Sequence, residues 1–457
     1  MNDASFSRQL ARHVHGRHDI DAELGAWMRL LLLDYCAVTA GGVGRSSAIA
    51  ARAAVSLSDR VDASHPAAIH GTGQWASVQD AALVNGITAH GLELDDTHEE
   101  ASLHPGVVIF PSVLAVADSL GSTTASVLAA ATVGYDVMCE VGALISASAS
   151  YARGFHPTGI AGVVGAAAAV ASLLRLDEDR ATHAIGLAAD LAAGSLEFLS
   201  DGSWTKRLNA GHAAANGIRA AGLAAAGFSA PERSLEGRDG FLNQYGNGAQ
   251  GRRLRLGFGD GALNTSIKFY PCCRYMHGSI DLLLDIQREW PSLQLDQIRS
   301  IDIGVIQAGA RLVSEPPERK LVVDTPVDAQ FNMRFGGALA LHTGRAAVDQ
   351  FDDAPAIAEG LIGWMEKVNC YTSDALESAF PARWAAEVSV ALADGQVISR
   401  SEDSFRGSPG RRATPAEVRD KAASLLGAEA AAALADSVAQ LEPAQPISGR
   451  LNFPEPA

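Results

Sequence analysis

The sequence predicts a mainly α-helical protein with a large all-α domain and a smaller α+β domain. Apolar residues recur at helical spacing through residues 1–265. The period changes to strand-like alternation within 266–407, and a helical pattern returns within 408–457. A chain of 457 residues is long enough for about two or three domains of ordinary size. We therefore expect 1–265, completed by 408–457, to form the all-α domain and 266–407 to form the α+β domain.

The helical prediction begins with the segment 24–40, where Trp27, Leu30, Leu31 and Tyr35 share one helix face. Further helices are predicted at 79–92, 106–120, 124–148, 159–174, 177–193 and 208–226. The faces of these segments consist largely of Ala and Gly, and small side chains allow helix axes to approach closely. We therefore expect a closely packed helical core.

Two short segments of the second domain, 301–305 and 387–392, alternate between apolar and polar residues as strands do. The second segment is followed by Asp394-Gly395 and by a further alternating segment at 397–399, which together predict a hairpin. Helices are predicted between the strands, at 330–347 and 354–368. This mixture is typical of an α+β domain.

A last helical segment is predicted at 415–441. Thr414 precedes Pro415 and has the spacing to Glu417 that defines a capping box with proline in the first turn. We expect this segment to return to the all-α domain.

The composition limits the classes of partner. The formal net charge is −16, which argues against a nucleic acid or an anionic membrane surface. Charged residues make up 19% of the chain, below the usual quarter, so much surface is expected to be buried, in part between subunits. A local basic pocket can still bind an anionic substrate.

Three features predict a cytoplasmic location. The N-terminal residues contain no apolar segment of the secretory type. The five cysteines are scattered without a Cys-x-x-Cys pair, which fits reduced thiols better than disulfides, zinc or iron–sulfur ligation. The longest stretch without Asp, Glu, Lys or Arg, 154–174, approaches membrane-spanning length, but its many Gly and Ala residues favour a packed core helix.

The densest group of chemically active side chains lies in residues 93–106, with five carboxylates and two histidines. His104 precedes a proline there, and His156 precedes a proline at the next small-residue run. Because proline favours the first helical turn, each histidine is expected at the start of a helix, near unpaired backbone N–H groups. Such a position binds a carboxylate and favours neutral imidazole, which can act as a base. A capping or core histidine is the alternative interpretation.

Asp95, Asp96 and Thr97 lie within the same acidic segment. One carboxylate is expected to orient a catalytic histidine or lysine, and the other to cap a helix or form a pair. A divalent metal is the alternative, because Asp, Glu and His at this density can bind one. No recognised zinc or calcium spacing is present, so the spacing does not favour a metal site.

Two basic segments are candidates for binding an anionic substrate. Lys206 lies near a predicted helix start, where the helix dipole disfavours a cation unless an anion is close; an ordinary surface pair is the alternative. Lys268, Arg274 and His277 lie together at the junction of the two domains, and two cations with a histidine suit a polycarboxylate. The two adjacent cysteines between them are interpreted as small buried residues.

These segments, in this order, resemble the MmgE/PrpD family, which includes 2-methylcitrate dehydratase, cis-aconitate decarboxylase and iminodisuccinate epimerase. The matching motifs extend over nearly the whole chain and are Glu93-Leu-Asp-Asp-Thr97, His104-Pro-Gly106, Gly154-Phe-His-Pro-Thr-Gly159, Lys206-Arg-Leu-Asn-Ala-Gly211, and Lys268-Phe-Tyr-Pro-Cys272 with His277. The resemblance implies a large all-α domain, a smaller α+β lid domain, a homodimer, and no metal or organic cofactor.

Carried over motif by motif, the resemblance implies catalytic roles for His156, His104, Asp96, Asp95, Thr97, Lys206, Lys268 and His277. It also implies substrate binding by Lys206, Lys268 and His277, and we add Arg274 because of its charge. His156 is expected to be the principal acid–base group. His104, held by Asp96 and Thr97, is expected to make the second proton transfer.

From the resemblance we expect a cofactor-independent lyase that acts on a small di- or tricarboxylic acid. Dehydration of a 2-methylcitrate-like hydroxy acid is the first expectation. Decarboxylation of the cis-aconitate type and epimerisation of a related dicarboxylate are the alternatives. Outside these reactions, the alternatives are a metal hydrolase and a non-catalytic helical dimer that binds a carboxylate.

Overall fold

The computed structural model describes residues 4–16, 18–56 and 66–454, and within them helical residues far outnumber strand residues. The prediction of a mainly α protein is thereby confirmed. The described residues form two compact units, the first from within 1–196, 204–265 and 414–457 and the second from 197–203 and 266–413. That the second unit acts as a lid stays a prediction.

The first unit consists mainly of helices. They are α1 (Phe6–His15), α2 (Ala22–Gly42), α3 (Ser46–Ser56), α4 (Val78–Ala89), α5 (Gly106–Leu120), α6 (Thr124–Ile145), α7 (Ala147–Ala152), α8 (Pro157–Leu173), α9 (Glu178–Asp190), α10 (Thr205–Ala225), α11 (Phe241–Tyr245) and α12 (Asp260–Leu263). Several begin at a side chain that accepts a hydrogen bond from a first-turn N–H group, as Asp21 does for α2 and Thr123 for α6. α8 instead begins with a proline directly after His156.

The first unit also contains short strands. β1 (Ala67–Ile69) and β2 (Gln74–Ala76) form an antiparallel pair, β3 (Thr97–His98) follows, and β4 (Thr265–Ser266) lies at the boundary of the two units. A strand of two or three residues is too short to show the alternation of apolar and polar residues from which strands are predicted. The expectation of a purely helical domain is therefore wrong in this detail.

Small residues bring the central helices of the first unit together. α8 packs against α6 and α10, and α10 also packs against α4. A Cβ atom added to Gly86 in α4 would lie 2.7 Å from the Cα atom of Gly211 in α10, and one added to Gly165 in α8 would lie 2.4 Å from the Cβ atom of Met138 in α6. The predicted close approach of helices is thus confirmed at both crossings. Because α4 runs directly into residues 90–96, its crossing with α10 helps to fix that segment.

Within the described ranges, one helix, α6, is long and apolar enough to cross a membrane when judged by length and composition alone. The bent pair of α2 and α3 would qualify only if it formed a single span. In α6, 89% of the most apolar window is buried inside the protein, and the core helix of a soluble protein meets the same criterion. The stretch 154–174 contains α8, and nearly all residues of this helix are buried.

The second unit contains a mixed sheet with helices packed against it. Its helices are α13 (His277–Glu289), α14 (Gln307–Val313), α15 (Pro326–Gln330), α16 (Met333–Thr343), α17 (Val348–Asp352), α18 (Ala354–Lys367) and α19 (Asp374–Ala379). Its strands are β5 (Ile298–Val305), β6 (Val368–Thr372), β7 (Ala386–Leu392) and β8 (Val397–Glu402). The strand order is β6-β5-β7-β8, parallel between β5 and β6 and antiparallel elsewhere.

Two strands of this sheet, β7 and β8, are separated by a turn residue and are predicted correctly, whereas β6 has no turn residue before it and is missed. The predicted hairpin is confirmed, since β7 and β8 pair on either side of Gly395, which has a φ of +97°. β6 is not foreseen by the sequence pattern, because it begins at Val368 directly after Lys367 ends α18. Without a turn residue between them, the strand is indistinguishable from the end of the helix.

The C-terminal segment returns to the first unit as α20 (Pro415–Leu426) and α21 (Ala428–Ala439). The predicted capping box is present, because Thr414 Oγ1 accepts a hydrogen bond of 3.2 Å from the Glu417 N–H group. Gly427, with a φ of +80°, divides the single predicted helix into two.

Helix α20 carries a buried lysine that reaches α2. Lys421 Nζ pairs with Asp34 Oδ1 at 2.5 Å and donates to the carbonyl oxygen of Leu94 at 2.7 Å. The side chains of Lys421 and Asp34 are 3% and 2% exposed, so the pair compensates two charges that are removed from water. Through Leu94, the C-terminal segment also holds the loop that follows α4.

Lys421→Met is expected to lower the free energy of unfolding by about 3–5 kcal/mol, because it removes the cation that pairs with the buried Asp34 carboxylate. Adding Asp34→Asn to the same chain should recover much of this loss. As a control, Arg345→Met disrupts an exposed pair with Asp349 and should change stability by less than about 1 kcal/mol. Urea denaturation followed by circular dichroism measures these values. Equal losses from Lys421→Met and Arg345→Met would contradict the prediction.

Candidate active site

The segment after α4 turns the chain so that acidic side chains become buried. A 3-10 turn, His90–Leu92, follows the helix, and Glu93 then adopts a left-handed backbone with a φ of +56°. This conformation costs a residue other than glycine about 1–2 kcal/mol, so surrounding contacts must hold it. Two such contacts are the ion pair between Glu93 and Lys206 and the hydrogen bond from Lys421 to the Leu94 carbonyl group.

The carboxylate of Asp95 lies between two imidazole rings. His90 Nδ1 is 2.9 Å from its Oδ1 atom, and His104 Nδ1 is 3.1 Å from its Oδ2 atom. Burial alone would raise the pKa of Asp95, but His90 and His104 hold that pKa well below its usual value, through the positive charges that they carry when protonated and through hydrogen bonding. Asp95 is therefore an anion in an almost fully buried position.

The ring of His104 presents one nitrogen to several acceptors. Its Nδ1 atom is 2.8 Å from the carbonyl oxygen of Asp96, 3.1 Å from Thr97 Oγ1 and 3.1 Å from Asp95 Oδ2. Because a carbonyl oxygen and an ionised carboxylate cannot donate, Nδ1 must carry the hydrogen. In the neutral ring the lone pair is then on Nε2, so Nε2 is the nitrogen that can take up a proton.

The ring of His156 has the opposite arrangement. His156 directly precedes α8, and the Nδ1 atom of its ring is 3.2 Å from Nδ2 of Asn209. The same amide nitrogen donates to the carbonyl oxygen of Ser195 at 3.3 Å, which sets the orientation of the amide. His156 Nδ1 therefore accepts, and the neutral ring carries its hydrogen on Nε2. Burial and the nearby Lys206 charge hold the pKa of His156 well below its usual value, which favours the neutral form.

The imidazole rings of His90, His104 and His156 form one cluster. The ring centroids of His90 and His104 are 4.8 Å apart, and that of His156 is 6.2 Å and 6.5 Å from them. The charges of Glu93 and Lys206 cancel within their ion pair. With all three rings neutral, the negative charge of Asp95 remains, and a proton on His104 would balance it. The cluster can therefore accept one proton.

Asp96 belongs to a different set of contacts. Its carboxylate accepts hydrogen bonds from the Tyr135 hydroxyl group at 2.6 Å and from the Gly106 N–H group, at the start of α5, at 2.8 Å. Burial raises the pKa of Asp96 to about 7 in spite of these bonds. Asp96 contacts His104, as expected, but through its carbonyl oxygen; the carboxylate that faces this ring is that of Asp95.

The basic residues predicted in the second unit form a cluster of their own. Lys268 is fully buried, and its Nζ atom donates to the carbonyl oxygen of Cys272 at 3.2 Å. His277 Nε2 is 3.3 Å from the same oxygen, and its Nδ1 atom is 3.3 Å from Arg274 Nη1. The guanidinium of Arg274 also lies over the ring of Phe405, 4.4 Å from its centroid. His277 thus links the backbone to the guanidinium group.

Among the residues that the structure describes, the group of His, Cys, Asp or Glu side chains that could hold a metal ion lies in the histidine cluster of the first unit. His90, Asp95 and His104 each offer one ligand atom, and these atoms lie within 4.8 Å of one another. A tetrahedral zinc ion with bonds of about 2.0–2.1 Å would separate its ligands by about 3.3 Å. The nitrogen–oxygen distances are shorter than this: 2.9 Å for the hydrogen bond between His90 and Asp95, and 3.1 Å for the charge contact between His104 and Asp95. His104 Nδ1 forms a hydrogen bond with the carbonyl oxygen of Asp96. We therefore interpret the cluster as hydrogen-bonded; that no metal is needed stays a prediction.

Comparison with known proteins places the chain in one family. The MmgE/PrpD N-terminal domain matches residues 8–253, and the MmgE/PrpD C-terminal domain matches residues 270–442. The chain belongs to the MmgE/PrpD family. The family suggested by the sequence motifs is thereby confirmed.

Relatives in the MmgE/PrpD family include proteins named for decarboxylation. The cis-aconitate decarboxylase-like protein oryM of Aspergillus oryzae is 28% identical, over 94% of this chain and 92% of the relative. The cis-aconitate decarboxylase of Aspergillus terreus is 28% identical, over 72% of this chain and 71% of the relative. The human cis-aconitate decarboxylase is 25% identical, over 72% of this chain and 68% of the relative.

In this MmgE/PrpD chain, the predicted residues fall into groups. Those brought together in the first unit are His104, His156, Asp95, Thr97 and Lys206. Asp96 adjoins them through its backbone, while its carboxylate caps α5. Those brought together in the second unit are Lys268, Arg274 and His277. The catalytic and binding roles of all these residues stay predictions.

Two side chains of the first-unit cluster are absent from the predicted set. Glu93 was within reach of sequence reasoning, because Lys206 near a helix start calls for a nearby anion and Glu93 belongs to the acidic motif. His90 carries no such signal, since nothing in its neighbourhood distinguishes it from a histidine at the end of an ordinary helix. Its link to Asp95 becomes visible only in the structure.

Asp96→Asn is expected to change how stability depends on pH. The folded pKa of Asp96 is about 7, above that of an unfolded carboxyl group, so its contribution is present at low pH and lost as the pH rises through 7. The free energy of unfolding of the wild type, relative to Asp96→Asn, should therefore fall by about 1.4 kcal/mol per pH unit between about pH 5 and 7. Urea denaturation of both proteins across this range measures the difference, and a difference that does not vary with pH would contradict the assignment.

Proposed function

We propose that this protein is a cofactor-independent lyase that acts on a small di- or tricarboxylic acid, and that it removes CO2 from a cis-aconitate-like acid. The observation that carries the proposal is the buried contact between Asp95 and His104, which makes Nε2 of His104 the proton-binding atom. The relatives named as cis-aconitate decarboxylases favour decarboxylation over the dehydration that the motifs alone suggested.

Decarboxylation of such an acid requires one proton to be delivered to carbon. The bond between the CH2 group and its carboxylate breaks, CO2 leaves, and the electron pair of that bond forms a new double bond. The electrons of the original double bond take up a proton at its far carbon. We assign this proton to Nε2 of protonated His104, whose positive charge Asp95 stabilises and which regains its proton from solvent.

His156 would act as a neutral hydrogen-bond donor. Asn209 donates to its Nδ1 atom, so the hydrogen of the neutral ring is on Nε2, and its lowered pKa keeps the ring neutral. Such an N–H group can bind the carboxylate next to the carbon where negative charge develops, which stabilises the transition state. The proposal thus exchanges the roles that the sequence suggested for His156 and His104.

The buried cations would bind the carboxylates of the substrate. We assign this role to Lys206, Lys268 and Arg274, all of which are buried. A cation removed from water is stabilised by an anionic ligand. His277, which contacts Arg274, is proposed to position that guanidinium.

The reaction can be identified by NMR in deuterated water with a panel of acids that resemble aconitate, citrate, 2-methylcitrate and aspartate. Decarboxylation should release CO2 and leave one deuteron on the product, at the carbon that receives the proton. Dehydration, in which His104 would pass a carbon-bound proton to the departing hydroxyl group, would instead form a double bond without loss of CO2. Binding without any change in the acids would contradict a catalytic role, and loss of turnover on chelation would favour a metal enzyme.

The two histidines should respond differently to the same substitution. His104→Gln should lower kcat by about a hundredfold or more, because an amide cannot transfer a proton. His156→Gln places an amide N–H group near the position of Nε2 and should lower kcat by less than about tenfold, whereas His156→Leu should lower it by about a hundredfold or more. Steady-state kinetics on the best acid of the panel measures these ratios. If His156→Gln were as damaging as His104→Gln, the exchanged roles would be wrong.

A further inference from the structure

His90 is a buried histidine to which the proposed reaction gives no task. It lies in the 3-10 turn after α4, with no exposed surface. Its Nδ1 atom is 2.9 Å from Asp95 Oδ1, while the other oxygen of the same carboxylate faces His104 at 3.1 Å. His90 therefore bonds to the charge partner of His104, in addition to packing against the His104 ring.

The hydrogen on His90 can be placed from its partner. The pKa of Asp95 is held well below its usual value, so its carboxylate accepts and does not donate, and Nδ1 of His90 must carry the hydrogen. Among the residues that the structure describes, Nε2 of His90 has no hydrogen-bond partner. A buried polar atom without a partner costs about 1–3 kcal/mol. The bond to Asp95 is thus the polar contact that accounts for an imidazole at this position.

The bond to His90 restricts the rotation of the Asp95 carboxylate. Rotation of a carboxylate about its last torsion is only weakly restricted by the side chain itself. With Oδ1 bonded to His90, Oδ2 lies 3.1 Å from Nδ1 of His104, a charge contact in which Oδ2 has no hydrogen bond among the described residues. We infer that His90 is a positioning residue, which holds Asp95 in the orientation that stabilises protonated His104 during turnover. This inference rests on the proposed function.

The other charged groups around His90 do not orient the Asp95 carboxylate in this way. The titratable groups that face it or the helices packed against it are Asp95, Glu93, Lys206, His104, His156, Asp34 and Lys421. Glu93 is paired with Lys206, and Asp34 is paired with Lys421, so the charges of both pairs cancel. The hydrogen bond of His90 therefore acts on the net negative charge of this group, which is that of Asp95.

Two substitutions separate the hydrogen bond from the space that the ring fills. His90→Leu keeps a side chain of similar size and removes both nitrogens, whereas His90→Asn places an amide N–H group near the position of Nδ1. His90→Leu should lower kcat by about 10–100-fold, the usual effect of losing a contact that orients a functional histidine, and should change KM by less than about threefold. His90→Asn should restore most of kcat. Thermal unfolding shows whether each variant is folded at the assay temperature.

A double-mutant cycle tests whether His90 acts through Asp95. In a chain that already carries Asp95→Asn, adding His90→Leu should lower kcat by less than about threefold, because the charge to be positioned is absent. A residue that only fills space would cause the same loss in both backgrounds. That result, or failure of His90→Asn to restore activity, would overturn the inference.

Nitrogen-15 NMR of the histidine rings gives a readout that needs no turnover. The signals of His90, identified by their absence in His90→Asn, should show the hydrogen on Nδ1 in the wild type. A hydrogen on Nε2 would overturn the inference even in an active enzyme. If none of the acids reacts, the proposed function fails on that ground, and the ring signals still decide whether His90 donates to Asp95.

Discussion

A buried carboxylate between two imidazoles is the interaction on which the site of the first unit depends. Asp95 is an anion almost without solvent contact, so its charge acts at nearly full strength on the rings beside it. It requires a hydrogen on Nδ1 of His90, and with the carbonyl oxygen of Asp96 it requires one on Nδ1 of His104. The nitrogen of His104 that can bind a proton follows from these contacts.

The fold supports this arrangement from several directions. The segment that bears Asp95 contains a strained residue, Glu93, and strain of this kind persists only where the surroundings fix the chain. Lys206 holds the Glu93 side chain, Lys421 holds the next carbonyl group, and the glycine crossing of α4 with α10 fixes the start of the segment. Residues from distant parts of the sequence thus fix the position of the short loop that contains Asp95.

Sequence reasoning succeeded where the signal is local and failed where it is not. The long helices follow from their periodicity and caps, and the histidine–proline steps correctly place His156 at the start of α8 and His104 just before α5. Adjacent carboxylates such as Asp95 and Asp96 point in different directions, and their spacing alone cannot tell which one faces a histidine. β6 could not be predicted because no turn residue separates it from α18. The contacts of Lys421 could not be predicted because they join segments that are distant in the sequence.

The order in which the histidines bind protons tests the account most directly. Nitrogen-15 NMR of the ring signals, followed from about pH 5 to 9, reports the protonation of each ring. We predict that His104 gains a proton on Nε2 at a higher pH than His156 does on Nδ1, because Asp95 faces the former ring while burial and Lys206 lower the pKa of the latter. If His156 were the first to bind a proton, or if neutral His104 carried its hydrogen on Nε2, the central claim would be contradicted.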